Sequence, residues 1–425
     1  MVVRVVNVCL YFQVHQPYRM KKYRFLDIGK HNDYFDDATN KEICERVAKK
    51  CYLPANDLML KLINENNGKF KVSYSITGIA LEQFEKYAPE VIDSFKKLAD
   101  TGCVEFLAET YYHSLAFLFS EKEFDFQVKK HSDKIKELFG VEPKIFRNTE
   151  LIYDNKLASF AEALGYKGIL SEGPDQILGW RSPNFLYKPK GSKSISLMMK
   201  NFKLSDDIAF RFSDKSWDQW PLTTEKFASW VASIDDGHSV NLFMDYETLG
   251  EHHWEDTGIF GFFEDLPKKL EAKGIGFMTP SEVVEAFDAK QELDIDTHVS
   301  WADKERDISA WLSNKMQKDA SSELYKMEQL IKSSGDEELL RNWRLLTTSD
   351  HLYYMSTKTM NDGAVHNYFS PYKTPYDSFI SYMNIISDMS KRLSLGDNAS
   401  ISENFDGSTN NINHEILNPQ QQDNN

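Results

Sequence analysis

The chain has 425 residues, a formal charge of −15, and 41% hydrophobic and 13% aromatic residues. That length can bury a substantial core without covalent staples, and so negative a balance argues against nucleic acid, which is bound by basic patches. Four scattered cysteines (Cys9, Cys44, Cys51, Cys103) lack CxxC spacing, so they read as reduced thiols rather than a disulfide framework. The first apolar segment is interrupted by Arg4, Asn7 and Gln13, unlike a secretion signal. No apolar run approaches the ~20 residues of a membrane span, and a cytoplasmic protein is expected.

In chain order, residues 2–14 read as a buried strand that Pro17 stops, leaving His15 and Gln16 at its mouth. A helical run over 40–66 closes at Asn66-Asn67-Gly68. The second strand covers 71–76, and a helix follows over 80–100. A third strand, 104–107, runs into Glu109-Thr110-Tyr111-Tyr112-His113, ahead of a helix over 121–139. The fourth, near 143–150, ends in a carboxylate, Glu150; after a helix over 151–164, residues 167–170 form the fifth and 194–199 the sixth. The seventh, Val240 to Met244, runs straight into Asp245, Glu247, Glu251, His252 and His253.

Strands alternating with helical crossovers of a dozen or more residues are the sequence form of parallel β/α units. The fold class is α/β, a barrel-like wheel of about seven units over residues 1–298. Polar clusters fall at the carboxyl ends of strands one, three, four and seven, the rim where such barrels carry their sites. From residue 299 to 395 apolar residues repeat at helical spacing, as in Leu339, Trp343 and Leu346. This predicts a helical bundle packed on the barrel, with Trp301, Trp311 and the stretch Thr347 to Tyr354 able to reach back to the cleft. Residues 396–425, rich in Asn and Gln, read as a disordered tail.

Two carboxylates on different strand ends, Glu150 and Asp245, are the minimum for glycosidic cleavage, in which one attacks or activates water and the other protonates the leaving oxygen. A metal site is the rival use of His15, His113, His252, His253, His351 and nearby acids, but no HxxxH or HExxH spacing occurs. There is no GxSxG elbow for a serine hydrolase, and no GxGxxG or GxxxxGK[ST] for a nucleotide.

The sequence resembles glycoside hydrolase family 57, the α-amylase and 4-α-glucanotransferase family built on an incomplete (β/α)7 barrel. The likeness runs from about residue 5 to 393, with five motifs in the family's order. The first is Gln13-Val14-His15-Gln16-Pro17, where many members have histidine in place of Gln13. The second, Gly102-Cys103-Val104-Glu105, matches Glu105 to a motif glutamate. In the third, Arg147-Asn148-Thr149-Glu150, Glu150 falls on the catalytic nucleophile. In the fourth, Asp245-Tyr246-Glu247-Thr248-Leu249-Gly250, Asp245 falls on the general acid/base. The fifth surrounds Asp350 and Tyr353. Arg147 and Tyr353 stand where some glucan-transferring members carry tryptophans.

The resemblance implies a retaining hydrolase of α-glucans or maltooligosaccharides. His15, Glu105, Arg147, Trp301, Asp350 and Tyr353 would then contact the sugar or orient the acids, with no metal or organic cofactor. A glucanotransferase or branching enzyme using the same site is the nearest alternative; a non-catalytic glucan-binding protein is the alternative of a different class.

Overall fold

The computed structural model describes residues 6–358 and 370–405, the side chains of 395–405 excepted. The last helix described runs Pro375–Phe405 and so takes in residues 396–405, the first part of the expected tail; the rest of that tail, 406–425, lies outside the described residues.

Seven parallel strands form the wheel: β1 (Asn7–Val14), β2 (Val72–Ile76), β3 (Val104–Phe106), β4 (Ile145–Arg147), β5 (Gly168–Ser171), β7 (Ser196–Met199) and β8 (Ser239–Asp245). Two short extra strands, β6 (Leu186–Pro189) and β9 (Glu292–Leu293), extend the second half, and β6 pairs antiparallel with β7. The ladders run β3-β2-β1-β8 and β4-β5-β7-β6-β9. A parallel bridge from Ala108 to Phe146 joins β3 to β4. Across the other seam the Asn201 N–H donates to the Asn241 carbonyl (2.9 Å), and the Asn241 side-chain amide donates to the Met199 carbonyl (2.8 Å).

Closure explains the composition of β1 and β8. Their sequences, NVCLYFQV and SVNLFMD, are buried along nearly their whole length, because helices cover one face and the barrel interior the other. Their pairing sets Gln13 opposite Asp245, so the two strands end at one level.

The helices after residue 300 enclose their own core around Trp311, Trp343, Tyr382 and Met389, which also takes in Met20, Tyr23 and Tyr34 from the loop following β1. This unit docks on the strand-end rim through its backbone. The Ser349 N–H donates to the His113 carbonyl (2.9 Å), the Trp301 N–H to the Glu150 carbonyl (3.2 Å), and Tyr153 and Val299 exchange a bridge.

Candidate active site

Because the seven strands are parallel, everything just past their carboxyl ends gathers on one rim. His15 follows β1, Glu109 and His113 follow β3, Glu150 follows β4, and Asp245 closes β8. The helical unit adds Trp301 and Asp350. Five of these, His15, Glu150, Asp245, Trp301 and Asp350, are half-buried, whereas Gln13, Glu109, His113 and Arg147 are buried beneath them. The cleft therefore has a solvent-reachable tier and a dry floor.

Glu150 has a left-handed backbone, φ 59°, as do Leu151 (φ 52°) and His113 (φ 51°). Residues with a Cβ avoid that region unless their surroundings over-determine it, and such strain collects at functional sites. Here the surroundings are specific. The Trp301 indole N–H donates to Glu150 Oε2 at 2.7 Å, His113 Nε2 lies 3.2 Å from Oε1, and the Ser349 hydroxyl lies 3.4 Å from the same oxygen.

His113 is held from its other side as well, with Nδ1 3.3 Å from Glu109 Oε2, while the Gln13 amide donates to Glu109 Oε1 at 3.1 Å. Burial alone would discharge this histidine, but the hydrogen bonds and charges of Glu109 and Glu150 overcome it and raise its pKa to about 9. The same interaction seen from Glu109 holds that carboxyl at about 2 against its own desolvation. A buried carboxylate pair bracketing one imidazolium is the stable protonation state.

His15 stacks on His113, with ring centres 3.9 Å apart. Its Nε2 lies 2.9 Å from Asp350 Oδ2 and its Nδ1 3.0 Å from the Thr77 hydroxyl. Burial, then the neighbouring His113 charge, lower its pKa. Asp350 is itself held well below the usual carboxylate range, its desolvation outweighed by the imidazoles of His15 and His113. His15, His113 and Asp350 have potential ligand atoms within 4.8 Å of one another. The ring nitrogens are nonetheless committed to Thr77, Asp350, Glu109 and Glu150, so a cation taking one nitrogen from each ring would displace an existing contact on each.

The two strand-end carboxyls are pushed in opposite directions. Burial and then the charge of Glu150 raise Asp245 to about 6. Glu150, despite its burial, is lowered by His113, Arg147 and the Trp301 N–H. Near pH 5 one is a carboxylate and its neighbour largely a neutral acid, the division of labour that glycoside cleavage requires. Glu247, two residues on, is pushed to about 8 by burial and the Asp245 charge, and it accepts the Tyr52 hydroxyl. The turn that carries these acids demands Gly250, φ +101°, because a Cβ there would meet the Lys50 carbonyl at 1.9 Å.

Three residues expected to contact the sugar have other surroundings. Glu105 lies on β3 itself, toward the opposite end of the barrel, where it accepts the Ser281 N–H (2.9 Å) and hydroxyl at a helix start. Arg147 has no exposed surface; its guanidinium lies 3.8 Å from Glu109 and 4.9 Å from the centre of the Trp301 ring. It is floor rather than a sugar contact. Tyr353 is buried in the helical core, its hydroxyl 3.2 Å from Asp303 Oδ1 behind the Trp301 loop. Conversely, Glu109 and His113 join the site without a motif to mark them; their only signal in the sequence is the polar run directly after the third strand.

The profile of Glycosyl hydrolase family 57 matches residues 9–296. The chain belongs to that family. It is a glycoside hydrolase, and its fold is the family's (β/α)7 barrel with C-terminal helices. A Methanocaldococcus jannaschii protein provisionally named an alpha-amylase is 46% identical over 395 residues, covering 89% of this chain and 82% of that one. The fold is similar to that of the family 57 branching enzyme from Pyrococcus horikoshii, with a TM-score of 0.66 at 14% identity over 90% of this chain and 88% of that one. It is also similar to that of the 4-alpha-glucanotransferase from Thermococcus litoralis, with a TM-score of 0.58 at 17% identity over 91% of this chain and 60% of that one.

Proposed function

We propose that this family 57 enzyme hydrolyses α-glucosidic bonds of α-glucans with retention, Glu150 attacking the anomeric carbon and Asp245 serving as acid and then base. The observation that carries the reading is the opposed ionisation of two carboxyls on one rim, Glu150 held ionised and Asp245 raised to about 6. The Glu150 charge ranks next to burial among the causes of the Asp245 shift, and the reading requires the ~5–5.5 Å separation of a retaining pair.

The same coupling supplies the switch of role. Attack converts Glu150 into a neutral ester, which removes the charge that held the proton on Asp245. Its pKa then falls, and the carboxylate left by protonation of the leaving oxygen is a competent base for the incoming water. Glu150 and Leu151 are held in left-handed geometry before substrate arrives, which preorganises the nucleophile. Asp350, half-buried and oriented by His15, would accept from sugar hydroxyls.

The α-glucan preference rests on the 46% identical relative named for α-amylase and on the motif resemblance. A cytoplasmic setting is part of the reading: Cys9, Cys44, Cys51 and Cys103 are all free thiols, and among the described residues no helix is long and apolar enough to cross a membrane. Incubation with a panel of α- and β-glucans, followed by product chromatography, tests it. Shortened products from α-glucans alone are expected; products longer than the input maltooligosaccharide would assign transfer, and turnover of β-glucans would refute the linkage.

A further inference from the structure

We infer that Arg306 is a positioning residue for this reaction, clamping the loop that carries Trp301 into a buried cluster of charges so that the indole stays on Glu150. The inference rests on the reading of Glu150 as nucleophile.

The cluster lies on the second half of the rim, away from His15 and His113. Glu172 follows β5, Lys200 follows β7, and Asp206 lies one turn further on; all three are buried. The Arg306 guanidinium forks between them, Nη1 donating to Glu172 Oε2 and Nη2 to Asp206 Oδ2, both at 2.8 Å. Lys200 Nζ completes the square, 3.0 Å from Asp206 Oδ1 and 3.4 Å from Glu172 Oε2. Gly173 allows this closeness, since a Cβ there would meet the Lys200 carbonyl at 2.3 Å.

Three buried charges and a half-buried guanidinium are a poor source of net stability but a strong determinant of register. What they register is the loop. Arg306 Nη1 also donates to the Trp301 carbonyl (3.0 Å), and the Arg306 carbonyl accepts the Ser300 N–H (3.0 Å). Asp303 and Arg306 are both left-handed, φ 55° and 54°, a conformation that persists only under such restraint. The indole is fixed in turn: Lys200 Nζ lies 5.4 Å and the Arg147 guanidinium 4.9 Å from the ring centre, and the N–H is directed onto Glu150 Oε2. A lysine at 306 would keep the charge but not the fork that joins both carboxylates and the loop carbonyl.

The test compares Trp301→Phe, Arg306→Met, Arg306→Lys and the double variant Trp301→Phe/Arg306→Met, by melting temperature and by the pH profile of kcat/KM on a maltooligosaccharide. Glu150 is faced by His113, Arg147, Asp245, Ser349 and Trp301, and only the last is released. Trp301→Phe should cost about tenfold in kcat, the worth of one hydrogen bond to a charged acceptor, and move the acidic limb to higher pH. Arg306→Met should reproduce both effects, and the double variant should be no worse than the poorer single one. If Arg306→Met does not fold, Arg306→Lys carries the test, with the limb displaced in the same direction.

An unmoved acidic limb in the folded Arg306 variants, or losses that multiply in the double variant, would overturn the inference whatever the melting temperatures. Full activity of Glu150→Gln would instead overturn the reading on which it rests.

Discussion

His15 and His113 lie face to face, ring centres 3.9 Å apart and planes 22° from parallel, yet their pKa values are pushed apart, His113 raised and His15 lowered. Two imidazoliums so stacked would repel, and the charge sits on His113 because that ring alone is bracketed by two carboxylates. His113 thus joins the Glu109 floor to the Glu150 tier.

The His113→Phe variant should therefore lose stability as well as activity. Removing one partner leaves buried carboxylates without their cation, which costs about 3–5 kcal/mol. The pH dependence carries the signature. His113 is raised from 6.5 to about 9, so its contribution is complete below pH 6.5 and disappears as pH rises through 9. Glu109 is lowered from 4.5 to about 2, so the same interaction, counted once, fades below 4.5. Urea midpoints should fall between pH 6.5 and 9.5 in the parent, and the part of that fall due to His113 should be missing from His113→Phe.

The rim could be read in the sequence because parallel β/α units place every strand end on one side, and Glu150, Asp245, His15 and Asp350 follow from that rule or from the motifs, with Trp301 expected only as a reach-back from the helical region. The vertical order could not. Glu105 and Glu109 are four residues apart on one strand and its extension, and only the depth of β3 in the barrel says which reaches the rim. Arg147 is similar: a charged residue beside a carboxylate suggests a contact with substrate, whereas the closed wheel leaves it no exposed surface. The partnership of His15 with Asp350 spans 335 positions, and the Glu172–Lys200–Asp206–Arg306 square draws on three separate segments. No local spacing encodes either.

Activity should be bell-shaped in pH. The free enzyme needs Glu150 ionised and Asp245 protonated, so kcat/KM should decline above about pH 6, where Asp245 titrates. The acidic limb should lie below the ordinary glutamate range, since Glu150 is lowered. With an activated aryl glycoside, whose leaving group needs no proton, the basic limb should vanish from the glycosylation step of Asp245→Asn. A basic limb that survived in that variant would assign it to another group.

Arg147→Met should shift the whole bell rather than reshape it. The guanidinium lowers both Asp245 and Glu150, so without it both pKa values rise and both limbs move to higher pH together. Stationary limbs combined with a raised KM would make Arg147 a substrate contact after all.

The central claim is that Glu150 attacks and Asp245 manages the proton, and the anomeric configuration of azide products tests it most directly. An activated aryl α-glycoside is given to Asp245→Asn and to Glu150→Ala with azide present, and the products are read by NMR. In Asp245→Asn the glycosyl-enzyme forms on Glu150 and waits for a nucleophile that needs no base. Azide should restore turnover and give the α-glycosyl azide. In Glu150→Ala no covalent intermediate forms, and azide in the emptied space should attack directly to give the β-azide. The β-product from Asp245→Asn and the α-product from Glu150→Ala would contradict the assignment and exchange the two roles.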